Sequence, residues 1–224
     1  HRTVAPILAA RGWSGVFFVT ARRPGERLSV GHAIHVLLAK FTADELRAAV
    51  ADRLDDADRL RLGAVERREL AAGVRPIDAL KRPLQRELAD VAGPVLSCLI
   101  DEHVGPEPDV ADALHLTPNA VADLRRSGMT IGGHGRRHVW FDCTPAETVR
   151  SEIAASTAFL AGDPRPWPFA YPYGASGEGS DRALAAAGFG AAFHASPTRP
   201  TGLYDLGRVD AEDGLPDGIL AGAR

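Results

Sequence analysis

Short apolar runs alternate with amphipathic segments near both ends of the chain. Residues 3–11 have the pattern of a helix and are followed by Gly12, and glycine is the usual residue just past a helix end. Val16–Val19 is a β-branched and aromatic run with the length of a buried strand. A helix followed by a strand, with the pair repeated along the chain, predicts an α/β fold.

The same alternation returns in the second half of the chain. Pro118, after a cap at Thr117, begins a predicted helix that ends at Gly128, and residues 129–131 follow as a short strand. Further predicted elements are a helix capped by Thr144, a strand over 167–171, a helix over 180–187 and short strands over 190–194 and 206–209. Helix–strand units therefore account for both ends of the chain.

Residues 31–116 interrupt this alternation with a long helical pattern. Thr42 and Glu45 have the spacing of a capping box, which marks the start of a helix. Apolar residues follow one face of that helix at intervals of four: Leu46, Val50 and Leu54. We therefore predict that residues 1–224 form a single α/β domain with a helical insertion at about 31–116.

Composition and charge narrow the classes of function. The 224 residues are 45% hydrophobic, which is enough for a sizeable core. The formal net charge of -3 gives no general attraction to nucleic acid or to anionic membranes. No apolar run approaches the ~20 residues of a membrane span. We therefore expect no nucleic-acid partner and no membrane span, while the oligomeric state stays open.

The compartment of the protein also stays open. The chain begins with His1 and enters a structured segment at once, so we expect that residues precede it and that a signal peptide could be among them. A cytoplasmic and an exported protein are both consistent with the sequence. Cys98 and Cys143 favour two partly buried free thiols over one disulfide.

Two histidines are the first candidates for chemistry. His134 and His138 lie in Gly-Gly-His-Gly-Arg-Arg-His, and their spacing lets both rings reach one metal ion if the segment coils. The segment follows a predicted strand and precedes a predicted helix, where α/β proteins place their sites. From the residues alone, two interpretations remain: a metal site, or a surface loop with two solvated histidines.

The second candidate is the segment Phe-Ala-Tyr-Pro-Tyr-Gly at residues 169–174. Proline and glycine flank an aromatic residue directly after a predicted strand, which predicts a tight turn. Such a turn could present a backbone N–H to a developing oxyanion. Taken alone, the segment favours an ordinary turn at the end of a strand.

Taken together and in order, these segments resemble the polysaccharide deacetylase family, also known as the NodB-homology or carbohydrate esterase family four group. Residues 128–138 resemble its second motif, in which three residues separate two metal-binding histidines. Residues 169–174 resemble its third motif, and residues 4–19 resemble the helix and strand after its first motif. The resemblance covers roughly 1–30 and 117–210.

The resemblance implies a fold and also exposes departures from the family pattern. The implied fold is an irregular (β/α) barrel of parallel strands, of which we expect the first strand to be missing. The first motif carries two aspartates that would immediately precede His1, and no aspartate occurs before Asp44. Gly135 stands where the second motif usually has serine or threonine, and Ala170 stands where the third usually has arginine.

The implied activity is the metal-assisted removal of acetyl or acyl groups from N-acylated amino sugars or polysaccharides. The cofactor would be a divalent metal, with zinc expected, held by His134 and His138 together with an upstream aspartate. The backbone N–H of Tyr173 would stabilise the oxyanion. Residues expected to contact the carbohydrate substrate are Tyr171, Pro172, Gly174 and Arg208.

Two of these assignments have structural alternatives. His194 is a candidate general acid, and the alternative is a partly buried structural histidine. Arg208 is a candidate polar group of the site, and the alternative is an ion pair at the edge of the core. Two other functions also remain open: a non-catalytic carbohydrate-binding relative, and a partner-binding module that acts through residues 31–116.

Overall fold

The chain divides into two compact units, of which the computed structural model describes residues 2–197 and 200–209. One unit consists of His1–Ala21 with Pro118–Arg224, and the other consists of Arg22–Thr117. The described helices are α1 (Val4–Ala10), α2 (Val30–Leu38), α3 (Ala43–Ala51), α4 (Asp56–Ala71), α5 (Pro76–Gln85), α6 (Ala89–His103), α7 (Glu107–Leu114), α8 (Pro118–Arg126), α9 (Ala146–Phe159) and α10 (Ser180–Ala187).

A parallel sheet lies in the first unit. Its described strands are β1 (Val16–Val19), β2 (Thr130–Gly133), β3 (Trp167–Ala170) and β4 (Phe189–Phe193). They lie side by side in the order β1-β2-β3-β4, and every neighbouring pair is parallel. The α/β fold that the sequence predicted is therefore confirmed at the level of the sheet, whereas the barrel stays a prediction.

Aromatic side chains form the core beside β3. Trp167 and Phe169 are buried along the strand, and the Phe169 ring meets Phe189 of β4 edge-on with centroids 5.3 Å apart. Glycines of β2 make room for these rings, since a Cβ at Gly133 would lie 3.0 Å from Phe169. The close packing holds β2, β3 and β4 in fixed positions at the end where the candidate residues lie.

The second unit is a bundle of helices with its own core. The capping box predicted at the start of α3 is present, because Thr42 accepts from the Glu45 N–H while the Glu45 side chain accepts from the Thr42 N–H. Buried residues from several helices pack together: Ile34, Leu37, Leu46, Val50, Leu54, Leu62, Leu80, Leu84, Leu88, Leu96, Leu99 and Ile100. This unit begins at Arg22, earlier than the predicted bound at 31, and the single-domain organisation stays a prediction.

Besides shifts of one or two residues at the ends of elements, the structure differs from the predicted elements at residues 206–209 and at the start of α9. Residues 206–209 do not form a strand, because only Leu206 makes a bridge, a parallel one to Phe193 at the end of β4. The cap of α9 is Pro145 rather than Thr144, and no side chain caps this helix end. The error at α9 concerns the end of an element, where the local pattern of the sequence is weakest. Residues 206–209 fail to form a strand because they lack a partner along their length.

Two expectations from composition can also be compared with the structure. Among the described residues, no helix has the length and apolar character needed to cross a membrane. Cys98 and Cys143 are both free thiols, as predicted. Both are exposed, so the expectation that they are partly buried was wrong.

Candidate functional site

The candidate site lies at the edge of the sheet where the parallel strands end. Because β1–β4 run in the same direction, their carboxyl-terminal ends share this edge, where α/β proteins commonly bind ligands. His134, Tyr171 and His194 are the first residues after β2, β3 and β4 respectively. The fold therefore brings together three segments that are distant in sequence.

The imidazole of His134 is half-buried and fixed in one tautomer. Its Nδ1 donates a hydrogen bond to the carbonyl oxygen of Ala170 at 2.7 Å, so Nε2 carries the lone pair of the neutral ring. Burial lowers the pKa of His134, the charge of Arg208 lowers it further, and the Ala170 hydrogen bond acts in the opposite direction. A neutral ring with a fixed tautomer is the form that binds a metal ion.

The backbone enters the left-handed region at two non-glycine residues of the site. His138 has a φ of 55° and Tyr173 has a φ of 56°. Few non-glycine residues adopt this region, at a cost of order 1–3 kcal/mol each, and such residues cluster at functional sites. The two residues also touch, since their ring centroids are 4.4 Å apart.

Four rings form a continuous row across the site. The centroids of His134 and His138 are 4.8 Å apart in an edge-on arrangement, and His138 contacts Tyr173 in the same way. Trp140 stacks on Tyr173 with centroids 4.4 Å apart and planes inclined by 4°. Burial raises the pKa of the Tyr173 phenol, so it remains protonated at neutral pH.

The turn Pro172–Gly174 lies beside the histidines, because the Tyr173 ring contacts His138. Gly174 has a φ of 73°, and a Cβ there would lie 2.5 Å from the backbone nitrogen of Ala195, so a side chain cannot fit. The Gly174 N–H is used within the turn, where it donates to the Tyr171 carbonyl at 2.9 Å. Among the described residues, no acceptor is found for the backbone N–H of Tyr173.

Tyr171 and Pro172 support this turn from within the core. Tyr171 is only 1% exposed, and its hydroxyl donates to the carbonyl oxygen of Tyr204 at 3.1 Å. Pro172 is also buried. Of the predicted substrate contacts, these two thus lie beneath the surface of the site, and their role in binding stays a prediction.

His194 connects the turn to a neighbouring carboxylate. Its Nδ1 donates to the Gly174 carbonyl oxygen at 2.7 Å, and its Nε2 lies 2.9 Å from Oδ1 of Asp205. The ring also packs against Tyr171, with centroids 4.9 Å apart. This arrangement fits the structural alternative considered for His194, although its part in catalysis stays a prediction.

Arg208 contacts His194 and lies near His134. Its Nε donates to the carbonyl oxygen of His194 at 2.7 Å, and its guanidinium carbon is 5.8 Å from the ring centroid of Phe18. Burial lowers the pKa of Arg208, but a guanidinium remains charged in proteins. Its charge acts on His134, so the site includes a cation beside the candidate ligands.

The residues present fit part of a metal site. Two imidazoles, one of them fixed by a backbone carbonyl, have the donor chemistry of a zinc ligand pair. Among the described residues, no group of three histidine, cysteine, aspartate or glutamate side chains converges on one point. The described part of the chain therefore offers two candidate ligands, whereas such a site requires three or four.

Two residues of the site were not predicted from the sequence. Trp140 could have been noticed from its position two residues after His138. Glu152 is almost fully buried on α9, where it accepts hydrogen bonds from the loop between His134 and His138. Its signal was a charged residue on the apolar face that Val149 and Ile153 define.

These features define an α/β protein with a histidine pair and a tight turn at the carboxyl-terminal edge of a parallel sheet. The sequence model of the polysaccharide deacetylase family matches residues 88–192, which include His134, His138 and the turn Pro172–Gly174. The resemblance to the polysaccharide deacetylase family is therefore confirmed over this segment. No curated protein and no solved structure matches the chain.

Proposed function

We propose that the chain is a metal-dependent hydrolase that removes acetyl or other acyl groups from N-acylated amino sugars or polysaccharides. The observation that carries this proposal is the His134–His138 pair, whose ring centroids are 4.8 Å apart beside the Tyr173 turn. Both histidines and the turn lie in the segment that matches the polysaccharide deacetylase family. The proposed fold is the irregular (β/α) barrel of that family, of which the sheet would be a part.

His134 and His138 would hold the divalent metal, which we propose to be zinc. The Ala170 carbonyl orients the His134 ring, so that Nε2 is directed away from the strand with its lone pair available. A third ligand would come from outside the described residues. When bound, such a metal supplies Lewis-acid polarisation and lowers the pKa of bound water.

The Tyr173 turn would stabilise negative charge on the oxygen of the amide being hydrolysed. The left-handed backbone at Tyr173 and the packing of Gly174 hold the turn in one conformation. A fixed backbone donor of this kind needs no reorganisation as charge develops, and one donor typically contributes about 2.7–4 kcal/mol. Gly174 thus acts by shaping the turn rather than through a side chain.

The remaining residues would surround the substrate or assist departure of the amine. Arg208 offers a cation near His134 that could bind an electronegative group of a carbohydrate. Tyr171 and Pro172 would support the turn from the core and so fix its position relative to the substrate, since both residues are buried. His194 is the candidate proton donor, and its contact with Asp205 would have to open before it could donate.

Metal content and acetate release test the proposal. The purified chain, H134A, H138A and the double variant would be loaded with zinc and analysed by mass spectrometry, then assayed with an N-acetylglucosamine oligomer. We expect about one ion per chain in the parent and its loss in the double variant. H35A is the matched control, because His35 is an exposed histidine of α2, and it should retain both properties.

The results of this experiment distinguish the proposed hydrolase from a non-catalytic relative. Zinc binding or acetate release that persists unchanged in H134A contradicts the proposal. A parent chain that binds the oligomer without zinc and without acetate release favours a second candidate, a non-catalytic carbohydrate-binding relative. That candidate is favoured by one observation, the lack of a third ligand among the described residues.

A further inference from the structure

A buried carboxylate lies against the loop that joins the two candidate ligands. Glu152 of α9 is only 2% exposed. Its Oε2 accepts hydrogen bonds from the backbone N–H groups of Arg136 at 2.7 Å and Arg137 at 2.8 Å. Its Oε1 accepts from the side-chain Nε of Arg137 at 2.9 Å. Both carboxylate oxygens are therefore directed at the loop between His134 and His138.

A second residue of the same helix completes this contact. Ser156 lies one turn after Glu152, is fully buried, and accepts the backbone N–H of Gly135 at 3.0 Å. The backbone N–H groups of all three residues between the histidines thus donate to α9. Consecutive N–H groups that converge in this way form a concave site for an anion, and here the protein supplies the anion from its own helix.

The carboxylate also explains why residue 135 is glycine. Gly135 has a φ of 70°, and a Cβ at this position would lie 2.9 Å from Oε2 of Glu152. The serine or threonine expected there would be strained in its backbone and would press against the carboxylate. Gly135 and Glu152 therefore depend on each other, which accounts for one of the departures noted in the sequence.

We propose that Glu152 is a positioning residue for the two histidines. By binding the intervening backbone, it holds the loop in the conformation that puts the His134 and His138 rings 4.8 Å apart. A carboxylate suits this task better than an amide, since it accepts at both oxygens while a glutamine would turn an NH₂ group towards one of the donors. The expected effect of Glu152 on zinc binding rests on the proposed function, but its effect on the conformation of the loop does not.

Zinc affinity measured by calorimetry tests the expected effect on zinc binding. E152Q keeps the shape of the side chain and should bind zinc about 10–100-fold more weakly than the parent, as is typical when a residue that orients a ligand is lost. The number of ions per chain should be unchanged. E152D should also bind zinc more weakly than the parent, because its shorter side chain cannot reach the loop. E147Q is the matched control, since Glu147 is an exposed residue of the same helix.

Hydrogen exchange of individual amides tests the effect on the loop without metal. In E152Q the amides of Arg136 and Arg137 should exchange at least tenfold faster, while the amides of β3 keep their rates. S156A should affect chiefly the amide of Gly135, and it provides a second variant if E152Q does not fold. Thermal unfolding of each variant would separate a local effect from general loss of stability.

Each result decides one of the two proposals. Unchanged exchange at residues 135–137 in both E152Q and S156A overturns the positioning role. An unchanged zinc affinity in a folded E152Q overturns it as well. If the parent chain binds no zinc, the proposed function fails, while faster exchange in E152Q still supports Glu152 as the residue that positions the loop.

Discussion

Gly135 carries a single-residue constraint that can be tested by adding one methyl group. G135A should lower the free energy of unfolding by more than about 1 kcal/mol, because alanine is strained at a φ of 70° and its Cβ would meet Glu152. Urea unfolding would measure the change. G162A is the control, since a Cβ at Gly162 would meet no atom within 4 Å. Equal effects of the two substitutions would contradict this account.

Because Tyr171 is buried, we expect it to make the free energy of unfolding depend on pH in the alkaline range. Burial raises the pKa of Tyr171 from 10.0 to about 12. A raised pKa contributes stability that is fully present below the unfolded value of 10.0 and is lost as the pH rises through 12. Between these values Y171F should therefore lose less stability than the parent, and urea unfolding at several pH values would measure both slopes. Parallel slopes would show that the pKa of Tyr171 is not raised in the folded protein.

Site residues that belong to a sequence motif were predicted from the sequence, whereas a residue that only the folded chain brings to the site was missed. His134 and His138 could be predicted because their spacing and their place after an apolar run are local signals. Glu152 was missed because its partners lie in a loop more than a dozen residues earlier in the chain, and only the folded chain brings them within hydrogen-bonding distance. The sequence indicated that Glu152 lies on the apolar face of a helix, but it did not indicate which loop Glu152 contacts.

The capping box of α3 provides a prediction for a single element. T42A removes the hydroxyl that accepts the Glu45 N–H, so the free energy of unfolding should fall by about 1 kcal/mol. In E45A the reciprocal bond to the Thr42 N–H is lost instead. The double variant should be less destabilised than the sum of the two, and additive losses in urea unfolding would argue against a reciprocal cap.

Elements with strong local patterns were predicted closely, and those that depend on distant contacts were not. β1 and α10 occupy the predicted residues, because an apolar run and a capped amphipathic segment are local features. The segment 206–209 has strand-like residues but forms only the bridge at Leu206. Whether an apolar segment becomes a strand depends on a partner along its full length, and the sequence cannot supply that information.

For the whole molecule, the separate core of the helical unit predicts that a cavity made there will affect that unit alone. L96A creates a cavity in the core of residues 22–117 and should cost about 2–5 kcal/mol. Amide exchange should rise across α2, α5 and α6, while β2 and β3 retain their protection. L60A is the control, because Leu60 is 72% exposed on α4 of the same unit and should change little. Equal loss of protection in β2 would contradict separate cores.

The position of residues 22–117 in the chain has a consequence for the order of folding. β1 pairs with β2 only after the chain has closed a loop that contains this entire helical unit. Contacts within each helix span short sequence distances and can form quickly, whereas pairing across so long a loop is slow. The entropy of closure grows only by about 0.6 kcal/mol for each doubling of loop length. A sheet joined in this way can accept segments of very different lengths at this point while its histidine-bearing edge stays intact.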